Sequence, residues 1–81
     1  MNENEILQAA CRALKRVAPE ANVEALDPDR RIRDQLAFDS VDFLNFALAL
    51  QEMLDVEIPE CDLPLLSSLS GCIRYIQGKM G

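Results

Sequence analysis

The run from Ser40 to Leu54, SVDFLNFALALQEML, places the tightest limit on what this chain can fold into. It holds neither Gly nor Pro, and most of its residues are helix formers or large apolar side chains. Set at roughly 100° per residue, Phe43, Phe46, Ala47, Leu50, Met53 and Leu54 share one arc of roughly 120°, the width of a core-facing stripe. Val41, Leu44 and Leu48 occupy a separate arc of about 60°. Gln51 lies at one border of that arc, with Asn45 and Glu52 at the other, and Asp42, Asn45 and Glu52 mark the polar side. Two apolar stripes on one helix require two neighbours. Either a second helix covers Val41, Leu44 and Leu48, or the strip stays exposed and docks a partner.

The start of this helix is equally well marked. Asp39 is an N-cap candidate, because its carboxylate can accept from the first free backbone N–H groups. Asp42, three residues on, takes the reciprocal position of a capping box and suits the positive end of the helix dipole. Ser40 therefore falls at the first helical position. A phosphate ester on its hydroxyl would lie near unsatisfied N–H groups, an advantage that the charges of Asp39 and Asp42 reduce.

Eighty-one residues predict a single domain, 1–81, with room for three or four helices around one small core. No apolar run is long enough to span a bilayer, and the amphipathic, acidic start MNENEILQAACRALKR does not read as a secretion signal. The expectation is a cytoplasmic, monomeric chain with no membrane association. Charge is unevenly placed: residues 1–33 hold six acids and six bases, residues 34–73 hold eight acids and no base, and Arg74 and Lys79 follow. The acidic centre argues against nucleic acid, whose phosphates need Lys and Arg, and fits either a basic protein partner or solubility. Three widely spaced cysteines and no histidine predict neither a disulfide framework nor a metal site. Cys11 and Cys72 sit in apolar helical patterns as small core residues, while Cys61 is exposed.

Taken in order, Glu3 to Ala18 is an amphipathic helix, capped by Asn2 or Asn4 and closed by Pro19. Arg12, Lys15 and Arg16 form its solvated, basic side. Residues 19–39 make a long connection that wraps one end of the bundle, with Val23 and Leu26 as core anchors and a helical turn between Arg30 and Leu36 turning Ile32 and Leu36 inward. After the central helix, Val56 and Ile58 anchor an extended linker that Pro59 ends. Asp62 to Ser68 is a short third helix. Ser68 or Ser70 caps the last, whose stripe is Leu69, Cys72, Ile73, Ile76 and Met80, with Tyr75 at its margin and Gly78 and Gly81 weakening its end. The fold class is all-α.

Leu36, the triplet Asp39-Ser40-Val41, the linker Glu57-Ile58-Pro59 and the final Leu69-x-x-Cys72-Ile73-x-Tyr75-Ile76 together resemble the acyl carrier protein family of phosphopantetheine-binding carrier domains. The resemblance runs from the first helix to Tyr75-Ile76. It implies a four-helix acyl-carrier-like bundle with a long first loop and a short third helix. It further implies 4′-phosphopantetheine attached covalently to Ser40, with Asp39 helping a phosphopantetheinyl transferase engage its magnesium and position that serine. Val41, Asp42, Leu44, Asn45, Leu48 and Glu52 match the family's partner-docking face. The implied role is a freestanding carrier of acyl or aminoacyl thioesters. An adenylating ligase, synthase or transferase would load and use the cargo.

Ala37 departs from the family's usual glycine, Phe38 is bulky, and Asn45 and Gln51 replace common acids. These differences leave Ser40 in place and point away from primary fatty-acid synthesis, toward a dedicated biosynthetic pathway. Beside this, the chain's own residues offer no histidine, no Gly-rich phosphate loop and no serine–base pair, so it is not an enzyme and has no catalytic residue. The alternative is a non-enzymatic helical adaptor that binds a protein through its second helix. Phe46, Leu50, Leu54, Ile58 and Leu66 are candidate liners for an entering acyl chain. Phe43 and Phe46 are expected to fill that space and keep a short cargo outside.

Overall fold

The computed structural model describes residues 2–80. Helix α1, Glu3–Val17, opens on a reciprocal capping box: Asn2 Oδ1 accepts from the Glu5 N–H at 2.9 Å, and Glu5 Oε1 accepts from the Asn2 N–H at 3.1 Å. Asn2 is thus the cap, not Asn4. Pro19 disfavours helical backbone at the residue before it, and Ala18 is the C-cap. The helix buries Ile6, Ala9, Ala10, Ala13 and Leu14. Three of these are alanines, which permit close approach to the helix that α1 contacts most, α3 (Ser40–Leu54).

Helix α3 buries Phe43, Phe46, Ala47, Ala49, Leu50 and Leu54. Met53 is only half-buried, at the edge of the core. Ala49 is buried although it lies off the main apolar arc, because α1 packs on α3 from that side. Phe43 and Phe46 meet edge to face with centroids 5.9 Å apart, the favoured geometry for two rings in a core.

The long connection is tied down at several points. Val23, in the 3-10 turn Val23–Ala25, is buried, and Leu26 packs against the core. Gln35 Oε1 accepts from the Asp27 N–H at 2.8 Å, while its amide nitrogen reaches the carbonyls of Asp27 and Arg30 at 3.0 and 3.2 Å. A one-turn helix α2, Ile32–Leu36, buries Ile32 and leaves Leu36 half-buried. The Ile32 N–H donates to the Ser67 carbonyl at 2.8 Å, and Arg31 and Ser68 form an isolated antiparallel bridge. The segment therefore wraps the bundle end where the last helix begins.

Beyond α3, Ile58 is buried and Val56 half-buried around exposed Glu57. The short third helix is a 3-10 segment, Glu60–Leu66, starting two residues before the expected Asp62. Pro64 inside it has no N–H to give, which suits a short 3-10 run better than a regular α-helix. Helix α4, Leu69–Met80, is capped by Ser68, whose Oγ accepts from the Gly71 N–H at 3.0 Å. Ser70 instead donates its hydroxyl proton to Asp29 Oδ1 at 2.8 Å, and its N–H donates to the Pro28 carbonyl at 2.9 Å.

Leu69, Cys72 and Ile76 are buried, with Ile73 and Tyr75 half-buried. Met80, expected in the stripe, is exposed: the helix continues past Gly78 and beyond the core by then. Gly81 lies outside the described residues. A Cβ on Gly71 would come within 2.6 Å of the Leu65 carbonyl oxygen, so a glycine is what lets the 3-10 segment lie against α4. Tyr75 donates its phenolic proton to Asp62 Oδ2 at 2.6 Å across the same contact.

Cys72 is buried as expected, and its thiol donates to the Leu66 carbonyl at 3.4 Å. Cys11 is only half-buried, at the edge of the core, and Cys61 is exposed. Among the described residues the result is the all-α arrangement expected, with α1, α3, the 3-10 segment Glu60–Leu66 and α4 as its four longer helices, and the 3-10 turn Val23–Ala25 and α2 as helical turns in the first loop.

Candidate functional site

The site is built on the α2–α3 junction. Ala37 closes α2 in the left-handed region at φ 55°, a conformation that costs an L-residue and favours glycine. This explains why a glycine suits this position and why alanine there is a departure with a cost. Phe38 is buried immediately after it. Phe38 and Phe43 occupy the two positions of a hydrophobic staple, so the bulky residue before Asp39 fixes the angle at which the chain enters α3.

Asp39 then caps α3. Its Oδ1 accepts from the Asp42 N–H at 2.8 Å, and Asp42 Oδ2 accepts from the Asp39 N–H at 3.3 Å. The capping box read from the sequence is present in full. Ser40, between them, is exposed at the first helical position. The Asp42 and Phe43 N–H groups are taken by Asp39. Those of Ser40 and Val41 meet no acceptor among the described residues. A phosphate ester on Ser40 Oγ thus has two open donors beside it at the positive end of a helix of four turns. That donor set and the exposed hydroxyl fit a phosphopantetheine arm.

Among the described residues, no group is poised to make Ser40 a nucleophile. The sequence has no histidine, and both neighbouring carboxylates are engaged with backbone N–H groups. The hydroxyl is exposed and has no base beside it to activate it. Among the described residues, no three His, Cys, Asp or Glu side chains are grouped as metal ligands.

The second apolar stripe is open at both ends: Val41 is 63% exposed and Leu48 50%, with Leu44 half-buried between them. Of the two readings of that stripe, an exposed strip is the one observed. Asn45 and Glu52 are exposed on its polar border, and Asp42, half-buried, stands near the helix start. The site therefore gathers Asp39, Ser40, Val41, Asp42, Leu44, Asn45, Leu48 and Glu52 along one helix.

Two contributors were not recognised from sequence. Arg16 of α1, read as part of a solvated basic face, comes within 3.9 Å of Glu52, and with Val17 it shares a groove with Asp42, Asn45 and Leu48. No local pattern pairs residues so far apart in the chain. Gln51, read as a border residue of the second stripe and as a lost acid, accepts from the Ile58 N–H at 2.9 Å through Oε1. That bond fastens the linker after α3 to the helix, and it needs an acceptor at this position, not a charge.

A protein-family model described as "Phosphopantetheine attachment site" matches residues 4–76. The acyl carrier protein of Prochlorococcus marinus (strain MIT 9515) is 29% identical over 83 residues, covering 100% of both chains. That of Campylobacter fetus subsp. fetus (strain 82-40) is 36% identical over 55 residues, or 68% of this chain and 71% of the relative. The acyl carrier protein of Campylobacter curvus (strain 525.92) is 34% identical over 58 residues, 72% of this chain and 74% of its own. The extent of these matches, on a four-helix frame with an open serine at a helix start, shows that the chain belongs to the acyl carrier protein family: it is a carrier and not an enzyme, and its cofactor is a covalently attached 4′-phosphopantetheine.

Proposed function

We propose that Ser40 is the attachment residue and that Asp39 assists the transferase that modifies it. The observation that carries this reading is the exposed Ser40 hydroxyl at the first position of α3, with the Ser40 and Val41 N–H groups open beside it. The arm, once attached, supplies a thiol that holds cargo as a thioester. The chain's own residues keep the serine accessible, fix its backbone through the capping box, and present the partner surface next to it. That surface is Val41, Asp42, Leu44, Asn45, Leu48 and Glu52, and the 81 residues work as one monomeric carrier domain in the cytoplasm.

The cargo is a short acyl or aminoacyl group of a dedicated biosynthetic pathway, loaded by an adenylating ligase, synthase or transferase. Full burial of Phe46, Leu50 and Leu66 supports a cargo held outside the bundle, because a long chain entering there must displace well-packed side chains. Neutral Asn45 and Gln51 on α3 support partners other than those of a uniformly acidic helix.

The test is co-expression with a broad-specificity phosphopantetheinyl transferase, followed by intact mass measurement. The wild-type chain is expected to gain one arm and Ser40→Ala none. An unmodified wild type beside a modified control carrier defeats the proposal and favours an adaptor working through the Val41–Leu48 strip. An arm on Ser40→Ala moves the attachment elsewhere.

A further inference from the structure

A second groove lies along the opposite flank of α1 from α3. Its apolar lining is Leu7, Cys11, Val23, Leu26, Pro28 and Leu69, drawn from α1, the first loop and the start of α4. Its volume is about 550 Å³, inside the range of about 300–1,000 Å³ usual for small-ligand sites. Arg12 and Lys15, one helical turn apart, stand at its rim, and among the described residues neither takes part in an ion pair. Glu24 is the single acid on the rim. Burial raises the pKa of the Cys11 thiol in this lining, with the Glu24 charge adding to it and that of Lys15 opposing.

The docking function described above uses none of these residues. An apolar trough with two free cations and one anion at its edge favours a ligand with an apolar body and a negative head. We infer that the groove between α1, the first loop and α4 is a binding site for a small amphipathic carboxylate, whose tail lies on the half-buried Leu7, Cys11 and Leu26, over a floor of buried Val23 and Leu69, and whose head pairs with Arg12 and Lys15. The two cations take the head by charge-assisted hydrogen bonds, and Glu24 sets a limit on affinity by opposing the same charge. The site does not depend on the arm, since Ser40 is absent from its lining.

The experiment is a titration of the methyl-labelled chain, followed by NMR, with three probes that share one tail: octanoate, octanol and octylammonium. Octanoate is expected to give saturable shifts at Leu7, Val23, Leu26 and Leu69, tighter than octanol and much tighter than octylammonium. The double variant Arg12→Ala/Lys15→Ala changes only exposed side chains, so the fold is retained. It is expected to weaken octanoate by about three- to tenfold, the size of two exposed charge contacts, and to leave octanol unchanged. The Ser40→Ala chain is expected to bind octanoate as the wild type does, so failure of the attachment reading and failure of this one are separable. Absence of saturable shifts, an equal response to octylammonium, or shifts confined to α3 overturns the proposal.

Discussion

Asp39 caps α3, and the proposed function gives the same side chain a second job. Its Oδ1 caps α3 through the Asp42 N–H at 2.8 Å, and its negative charge stands next to Ser40, the proposed attachment residue. Asp39→Asn separates them, because the asparagine carbonyl can accept the same bond while the charge is removed. The expected stability change is within roughly 0.5 kcal/mol, with a clear drop in the initial rate at which Ser40 receives its arm. Denaturation curves and modification rates from the same preparations, at saturating magnesium, give both readings. Wild-type kinetics in the variant exclude the metal-assisting role. A large loss of folding shows instead that the carboxylate charge serves the helix start. This residue was legible in the sequence because capping is local: the donors that Asp39 satisfies lie within four positions of it. Ala37 was legible only as a deviation, since its left-handed backbone depends on how α2 is joined to α3.

Among the elements, the helices declared themselves by apolar periodicity; the start of α3 was marked by Asp39, and those of α1 and α4 by pairs of candidates, Asn2 or Asn4 and Ser68 or Ser70. The choice between Ser68 and Ser70 was not decidable from sequence, because Ser70 is held by Asp29, 41 positions away. The long loop was similarly opaque. Its order rests on Gln35, one side chain bridging Asp27, Arg30 and the turn between them, and glutamine has no distinctive pattern for such a role. Gln35→Ala is expected to cost about 1–2 kcal/mol, since several backbone groups lose a partner and water replaces it only in part. Gln35→Glu keeps the acceptor for Asp27 and loses the donors, so it should fall short of wild type as well. Urea denaturation ranks the three, with amide exchange in residues 27–31 rising in both variants. If both variants match wild type in stability and exchange, the hydrogen bonds seen on Gln35 do not hold the loop. The loop leads into α2 and then Ser40, so its order bears directly on how the serine is presented.

At the scale of the whole molecule, the core and its edge hold weak acids that ionise only at high pH, and this makes alkaline stability a test of the packing. Burial pushes the Cys72 thiol from 9.0 up to about 12, and burial with the Asp62 hydrogen bond and charge pushes the Tyr75 phenol from 10.0 up to about 12. Burial also raises Cys11, with Glu24 adding to it. In each case the folded chain holds a proton that the unfolded chain releases earlier. Below about pH 9 both states are protonated and the contribution is fully present. As the pH rises through the window from about 9 to about 12, the unfolded state alone gains from ionising, and stability falls. The Cys72 share is on the order of a few kcal/mol across the full window.

Urea midpoints measured between about pH 8 and about pH 11 should therefore decline, steeply beyond the unfolded cysteine range. Cys72→Ala is expected to be less stable at neutral pH, because it leaves a small cavity. It should nevertheless lose stability less steeply with rising pH. Tyr75→Phe is expected to flatten only the upper part of the decline, where the unfolded phenol ionises. Slopes are the quantity to compare, since each substitution shifts the starting value. A flat profile in the wild type, or the same slope in all three proteins, means that Cys72 and Tyr75 are not held against ionisation and that the contact between the 3-10 segment and α4 is looser than the 2.6 Å Tyr75–Asp62 bond implies.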